Sequence, residues 1–174
     1  MTLQGIPDAS TVNADGVSKK RLIDGVIVRQ AVTHVDDRGS LTEIYNPAWG
    51  TVDFPLVYVY QTMIRPGKVK GWLEHRIQTD RLFLSIGAIM FVLYDNRPES
   101  PTYQMINEVF MSEENRALLI IPPRVIHGVQ NIGTTSAVFI NTPSHPYNHE
   151  KPDKYRYPLD GDDVPYRFGD KLGW

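Results

Sequence analysis

From Gly25 onward the chain breaks into short apolar stretches separated by turn residues. Residues 26–28 and 31–33 are brief β-branched runs. Asp36-Asp37-Arg38-Gly39 predicts a turn, because Asp favours turn starts and Gly accepts positive φ. Residues 41–45 and 56–63 read as strands, with Pro66-Gly67 as the next turn. Residues 81–87 and 88–94 read as two strands meeting at Gly87. Residues 103–110, 118–121, 126–130 and 137–141 complete the strand-like set. Pro122-Pro123 ends one of these, since proline cannot donate to a ladder. Nowhere do apolar residues keep a helical period; residues 112–115 offer one short turn, with Ser112 as its cap. Many short strands with regular turn signals predict an all-β sandwich or closed barrel.

Residues 1–22 are polar and aperiodic and read as an N-terminal arm ahead of one domain, 23–174. The last thirty residues, rich in Tyr, Pro and Asp, read as an irregular tail over the surface, with 153–157 as plain surface. A chain of 174 residues can build a core of its own. Its net charge of −2 leaves no basic stripe for a nucleic-acid backbone. The absence of cysteine removes disulfides, thiolate nucleophiles and Cys-ligated zinc together. The start has no signal-like apolar core, and the longest apolar run, 82–94, is too short to cross a bilayer. The expectation is a cytoplasmic protein with no membrane partner.

Two histidine segments stand out. His75 is followed by Asp80 and then Gly87; Pro122 is followed by His127 and then Asn131. These spacings resemble the two motifs of the cupin superfamily, with Arg124 where motif two carries glycine and Leu73 where motif one carries another histidine. The resemblance implies a double-stranded β-helix, or jelly-roll barrel, with both histidines pointing into its mouth. Metal-binding cupins bring about three imidazoles and a carboxylate onto the ion. His75, Asp80 and His127 are an incomplete set, so the expectation is no metal, with a metal-dependent cupin kept as an alternative.

A longer match covers most of the chain. The stretch D-N-R-P-E-S-P-T-Y from Asp95, then M-S-E-E-N-R-A-L-L-I-I-P-P-R-V-I-H-G-V, resembles the dTDP-4-dehydrorhamnose 3,5-epimerase family. Arg38-Gly39 with Leu41 and Glu43, Lys70-Gly71 through His75, Arg81-Leu82, and Pro146-Tyr147 through Glu150 resemble its flanking segments. The span from His75 to Arg81 is shorter than the family's. The resemblance implies an isomerase that takes a proton α to the keto group of a dTDP-linked 4-keto-6-deoxyhexose. Neutral imidazole suits that step near pH 7, and a cation stabilises the enolate. By position, His75 would be the base and Arg81 the enolate or phosphate clamp. Arg38 and Lys70 would meet the diphosphate, Glu43 and Tyr147 the nucleotide, and His127 would line the pocket. Arg97 reads as tying its own loop to the barrel.

Asn141, counted among the substrate-binding residues, stands where the family's acid tyrosine would be, and Lys70 replaces an arginine. Tyr103, Tyr155 and Tyr157 are candidates to restore the acid, and Asp160 or Asp170 to orient His75. The resemblance implies no cofactor, a dTDP-sugar substrate and a homodimer, with the N-terminal segment 1–30 as a candidate exchanged arm. A non-catalytic nucleotide-sugar-binding cupin is the other reading that Asn141 leaves open.

Overall fold

A computed structural model describes residues 5–169. Its strands are β1 (Ile27–Gln30), β2 (Thr33–Asp36), β3 (Gly39–Thr42), β4 (Tyr60–Ile64), β5 (Val69–Glu74) and β6 (Asp80–Ile86). They continue with β7 (Ala88–Asp95), β8 (Ile106–Ser112), β9 (Ala117–Ile121), β10 (Val125–Asn131), β11 (Ala137–Asn141) and β12 (Tyr155–Arg156). One sheet runs β1-β9-β6-β11-β4, a second β12-β5-β10-β7-β8, and β2-β3 forms a separate hairpin. All pairs are antiparallel. Among the described residues the only helical turn is 3₁₀, Pro47–Trp49.

The two large sheets face each other across one core. Leu82 and Leu84 of β6, Ile89, Phe91 and Leu93 of β7, Leu119 and Ile121 of β9, and Phe139 of β11 all enter it. Alternate residues of the same strands point outward. On β7 these are Met90, Val92 and Tyr94, covered by Trp72, Ile126 and Val164, with Tyr166 and Phe168 of the tail against them. The tail therefore explains why β7 is apolar at every position from Ala88 to Tyr94: both of its faces are covered. On the other sheet, Phe83, Leu118 and Ile120 face out beneath Tyr45, Trp49 and Val52.

Gly87 turns the chain from β6 into β7 at φ 88°, and a Cβ there would lie 2.8 Å from Ala137 Cα. Left-handed strain and this backbone clash add. Gly87→Ala is expected to destabilise the fold by roughly 2–3 kcal/mol, read as a fall in the urea midpoint. Arg124 also has positive φ, 65°, at the place where the cupin pattern carries glycine. Arg124→Gly removes strain on the order of 1 kcal/mol and is expected to raise the thermal midpoint slightly.

Several boundaries differ from the sequence reading. β4 begins at Tyr60 rather than near 56, and β8 at Ile106, because 101–104 form a turn closed by Gln104 at φ 65°. The apolar pattern did not mark β5, β12 or the 3₁₀ turn. Arg97 does tie its loop down: its Nε donates to Asp95 Oδ1 at 2.8 Å, and the Ser100 and Thr102 hydroxyls donate to Asp95 Oδ2 at 2.6 Å each. Burial works against that carboxylate, but these donors outweigh it and hold its pKa at about 2. β1, within the segment expected as an exchanged arm, pairs with β9 of its own chain.

Candidate active site

β5 ends at Glu74, β11 at Asn141 and β9 at Ile121, while β4, β6 and β10 begin at Tyr60, Asp80 and Val125. Antiparallel pairing therefore gathers all these termini at one end of the double sheet, the mouth. Asp80 pairs with Ile121, and His127 with Leu73 and Leu93. Cross-strand partners share a face, so Asp80 and His127 both point inward. His75 follows β5 directly and joins them. His127 Nε2 lies 3.2 Å from Asp80 Oδ2, and His75 Nε2 lies 3.6 Å from the same oxygen. The three side chains are 7%, 11% and 4% exposed for His127, His75 and Asp80, so water screens their charges weakly.

Backbone carbonyls orient both rings. His75 Nδ1 donates to the Asp153 carbonyl, and His127 Nδ1 to the Val125 carbonyl at 3.1 Å. Each Nε2 is thereby turned toward the mouth. The Asp153 carboxylate anchors the same loop, accepting the N–H groups of Arg76, Ile77 and Gln78 at 2.9 Å each. The Arg124 N–H donates to the His75 carbonyl at 2.6 Å, fixing its backbone from the other side.

Asp80 is the hub. Its Oδ1 accepts from Gln78 Nε2 at 2.6 Å and from Asn141 Nδ2 at 2.9 Å. Burial alone would raise its pKa. Hydrogen bonding and charge from His127, then His75 and Asn141, win and bring it to about 2. The mouth thus holds a carboxylate, ionised at any ordinary pH, beside two imidazoles. One ligand atom from each of His75, Asp80 and His127 lies within 4.8 Å of the others, so the trio can also converge on a divalent ion.

The remaining residues singled out from the sequence fall elsewhere. Asn141 is at the mouth. Arg81 is fully buried but on the opposite face of β6 from Asp80. Its Nε donates to Thr142 Oγ1 at 2.7 Å, and its guanidinium lies over the Tyr45 and Phe54 rings at 3.8 and 4.6 Å. The physical reason is strand parity: adjacent residues of a strand cannot both face inward, and Asp80 takes the inward place. Arg38 pairs with Asp36 on the exposed β2–β3 hairpin, and Glu43 is exposed just beyond β3. Tyr147 is 44% exposed, its ring against His149. Lys70 is exposed on β5, at the parity of Trp72 rather than Leu73.

None of the three proposed replacement tyrosines has its described contacts at the trio. Tyr157 donates to Glu74 Oε2 at 2.6 Å, the Tyr155 ring lies under Arg76, and Tyr103 lies in the 101–104 turn. Asp160 is exposed, and Asp170 lies outside the described residues. Asp153 performs the orienting role through its carbonyl, so residues 153–157 are not plain surface. Lys154, in the same segment, has its pKa lowered by burial and by the neighbouring cations Arg156 and Lys70, while Asp80 acts in the opposite sense. Sequence reasoning missed this group because only the β12–β5 pairing brings it to the mouth.

An antiparallel double sheet with two inward histidines and an acid at its strand ends defines a cupin-type barrel with a mouth site. Residues 20–160 match the family model described as dTDP-4-dehydrorhamnose 3,5-epimerase, and the chain belongs to that family. A probable low-salt glycan biosynthesis epimerase of Haloferax volcanii is 33% identical over 139 residues, covering 79% of this chain and 89% of that protein. The spore coat polysaccharide biosynthesis protein SpsL of Bacillus subtilis is 31% identical over 153 residues, covering 84% and 97%. A solved dTDP sugar isomerase from Desulfovibrio desulfuricans superposes with a TM-score of 0.77 at 26% identity, covering 83% of this chain and 90% of its own. The chain is accordingly an epimerase-class enzyme. No helix among the described residues is long and apolar enough to cross a membrane.

Proposed function

We propose that the enzyme isomerises a dTDP-linked 4-keto-6-deoxyhexose, with His75 as the base that removes the proton α to the keto group. The observation that carries this is the His75 ring itself. Its Nδ1–H is committed to the Asp153 carbonyl, which leaves the lone pair of the neutral ring on Nε2, facing the mouth. When Nε2 takes the proton, the Asp80 carboxylate 3.6 Å away stabilises the new imidazolium. His127 faces an oxygen acceptor at each ring nitrogen, Val125 and Asp80, which fixes its ring at the mouth. His127 is the ring placed to hydrogen-bond the developing enolate at the mouth, since Arg81 is turned away. Lys70, Lys154 and Arg156 form a cationic group that suits the diphosphate. Arg38 keeps its assignment to the diphosphate, and Glu43 and Tyr147 keep theirs to the nucleotide.

The enzyme is proposed to act as a homodimer. Met63, Val138 and Ile86 lie in one row across β4, β11 and β6, and Met63 and Ile86 are more than half exposed on the outer face. A second copy would cover such an apolar row. A cytoplasmic location fits a nucleotide-activated substrate.

Incubation with dTDP-4-keto-6-deoxyglucose, followed by proton NMR of the sugar ring, tests the assignment. New ring couplings that report inversion at C3, C5 or both are expected. An unchanged sugar despite saturable binding would make the protein a binding cupin. The convergence of His75, Asp80 and His127 favours one second reading, a metal-dependent cupin; stoichiometric iron, manganese or zinc in the purified protein would support it, and activity undiminished by chelator would exclude it.

A further inference from the structure

Inversion at a carbon needs two groups, one to remove a proton from one face and one to return it to the other. The position where the family carries its acid tyrosine is Asn141, whose amide cannot deliver a proton at ordinary pH. The ladder supplies a neighbour. Asn141 on β11 is directly paired with Tyr60 on β4, so their side chains share the inward face. Asn141 Nδ2 donates to the Tyr60 phenol oxygen at 2.8 Å and to Asp80 Oδ1 at 2.9 Å.

We infer that Tyr60 is the catalytic acid of the proposed epimerisation, and that Asn141 is the positioning residue that aims its phenol. The inference rests on the reading of His75 as base.

Three features of the geometry carry it. First, the Asn141 amide has one possible orientation. Its Oδ1 accepts the Arg81 backbone N–H at 3.2 Å, so the nitrogen must face Asp80 and Tyr60. Both amide hydrogens are then used, and the phenol oxygen can only accept from Asn141. Its own hydrogen has no acceptor among the described residues and is free to point at a ligand. Second, base and acid come from facing sheets. His75 follows β5 of one sheet, while Tyr60, Asp80 and Asn141 stand on β4, β6 and β11 of the other. A sugar ring seated over Asp80 would have Nε2 of His75 on one side and the Tyr60 hydroxyl on the other. Third, Tyr60 is 37% exposed where its neighbours Asp80 and Asn141 are buried, so it borders the open side of the site. Burial, followed by the charge of Asp80, also raises its pKa to about 12, although Asn141 acts the other way. The phenol therefore keeps its proton until an enolate stronger in basicity arrives.

The step balances without any co-reactant. The α C–H bond breaks as His75 Nε2 takes the proton, and the electron pair moves into the enolate. A new C–H bond forms on the opposite face with the Tyr60 proton. The phenolate regains a proton from water, and the His75 imidazolium returns one to it.

Tyr60→Phe keeps the ring and removes only the hydroxyl. In deuterated water with dTDP-4-keto-6-deoxyglucose, the variant is expected to retain solvent deuterium wash-in to the unchanged sugar within a few-fold of wild type. Formation of the inverted sugar should fall by at least about 100-fold, the scale of a lost general acid. Asn141→Leu should show the same split more weakly, and both variants should bind dTDP as wild type does. Epimer formation by Tyr60→Phe at the wild-type rate would overturn the inference, as would equal loss of wash-in and inversion with binding intact. Wild type that shows neither wash-in nor inversion would instead sink the reading of His75 as base, and this inference with it.

Discussion

Replacing His75 with alanine is expected to lower epimerisation by about 10²–10⁴-fold while leaving the fold intact. The magnitude follows from what the ring does. It is the mouth imidazole whose tautomer is set by a loop carbonyl and whose Nε2 is not already within hydrogen-bond distance of Asp80, 3.6 Å against 3.2 Å for His127. Among the described residues the other mouth imidazole is His127, whose Nε2 already faces Asp80 at 3.2 Å. Little stability should be lost, because His75 sits at the rim and not in the apolar core. His75→Asn separates the two effects, since its amide can still donate to the Asp153 carbonyl but cannot act as a base. Steady-state kinetics with urea unfolding of both variants checks this: kcat should collapse in both, with midpoints near wild type. A His75→Asn enzyme with kcat within ten-fold of wild type would place the base elsewhere.

The second large effect belongs to Asp80→Asn. This change is nearly isosteric and removes the charge that two imidazoles share. The folded pKa of Asp80, about 2, lies below its ordinary 3.8. A carboxylate depressed in this way stabilises the fold fully above the unfolded value, and the contribution is lost as pH falls from about 4 through 2. The difference corresponds to about 2 kcal/mol. Wild type should therefore exceed Asp80→Asn in stability at pH 7 by roughly that amount, and the gap should narrow toward pH 2. Asp95, with the same depressed pKa, continues to titrate in both proteins and cancels from the comparison. Activity should fall with the substitution as well, because the imidazolium formed at His75 loses its counter-charge. Chemical denaturation at pH 7 and pH 2.5 measures the first effect. A gap that widens in acid would contradict the assigned ionisation.

Much of this was legible in the sequence. The strand-and-turn rhythm predicted an all-β fold, and Gly87 and Pro122-Pro123 marked real strand ends. The spacing of His75, Asp80 and His127 placed three residues that do meet. What the sequence could not show is which residues share a face across strands far apart in the chain. Arg81 and Asp80 are neighbours, and only the sheet's parity decides which enters the mouth. The family resemblance of Arg81-Leu82 suggested Arg81; the ladder puts Asp80 inward. Tyr60 and Asn141 are 81 residues apart, and the pairing of β4 with β11 joins them. Asp153 looked like surface because its role uses a main-chain carbonyl, which leaves no mark on residue type.

Deuterium wash-in by the wild-type enzyme tests the role of His75 most directly. With dTDP-4-keto-6-deoxyglucose in deuterated water, resolved carbon by carbon by NMR, exchange is expected at C3, C5 or both, and it should be abolished in His75→Ala. Epimerisation with retention of the original α hydrogen, or exchange that survives His75→Ala undiminished, would contradict it.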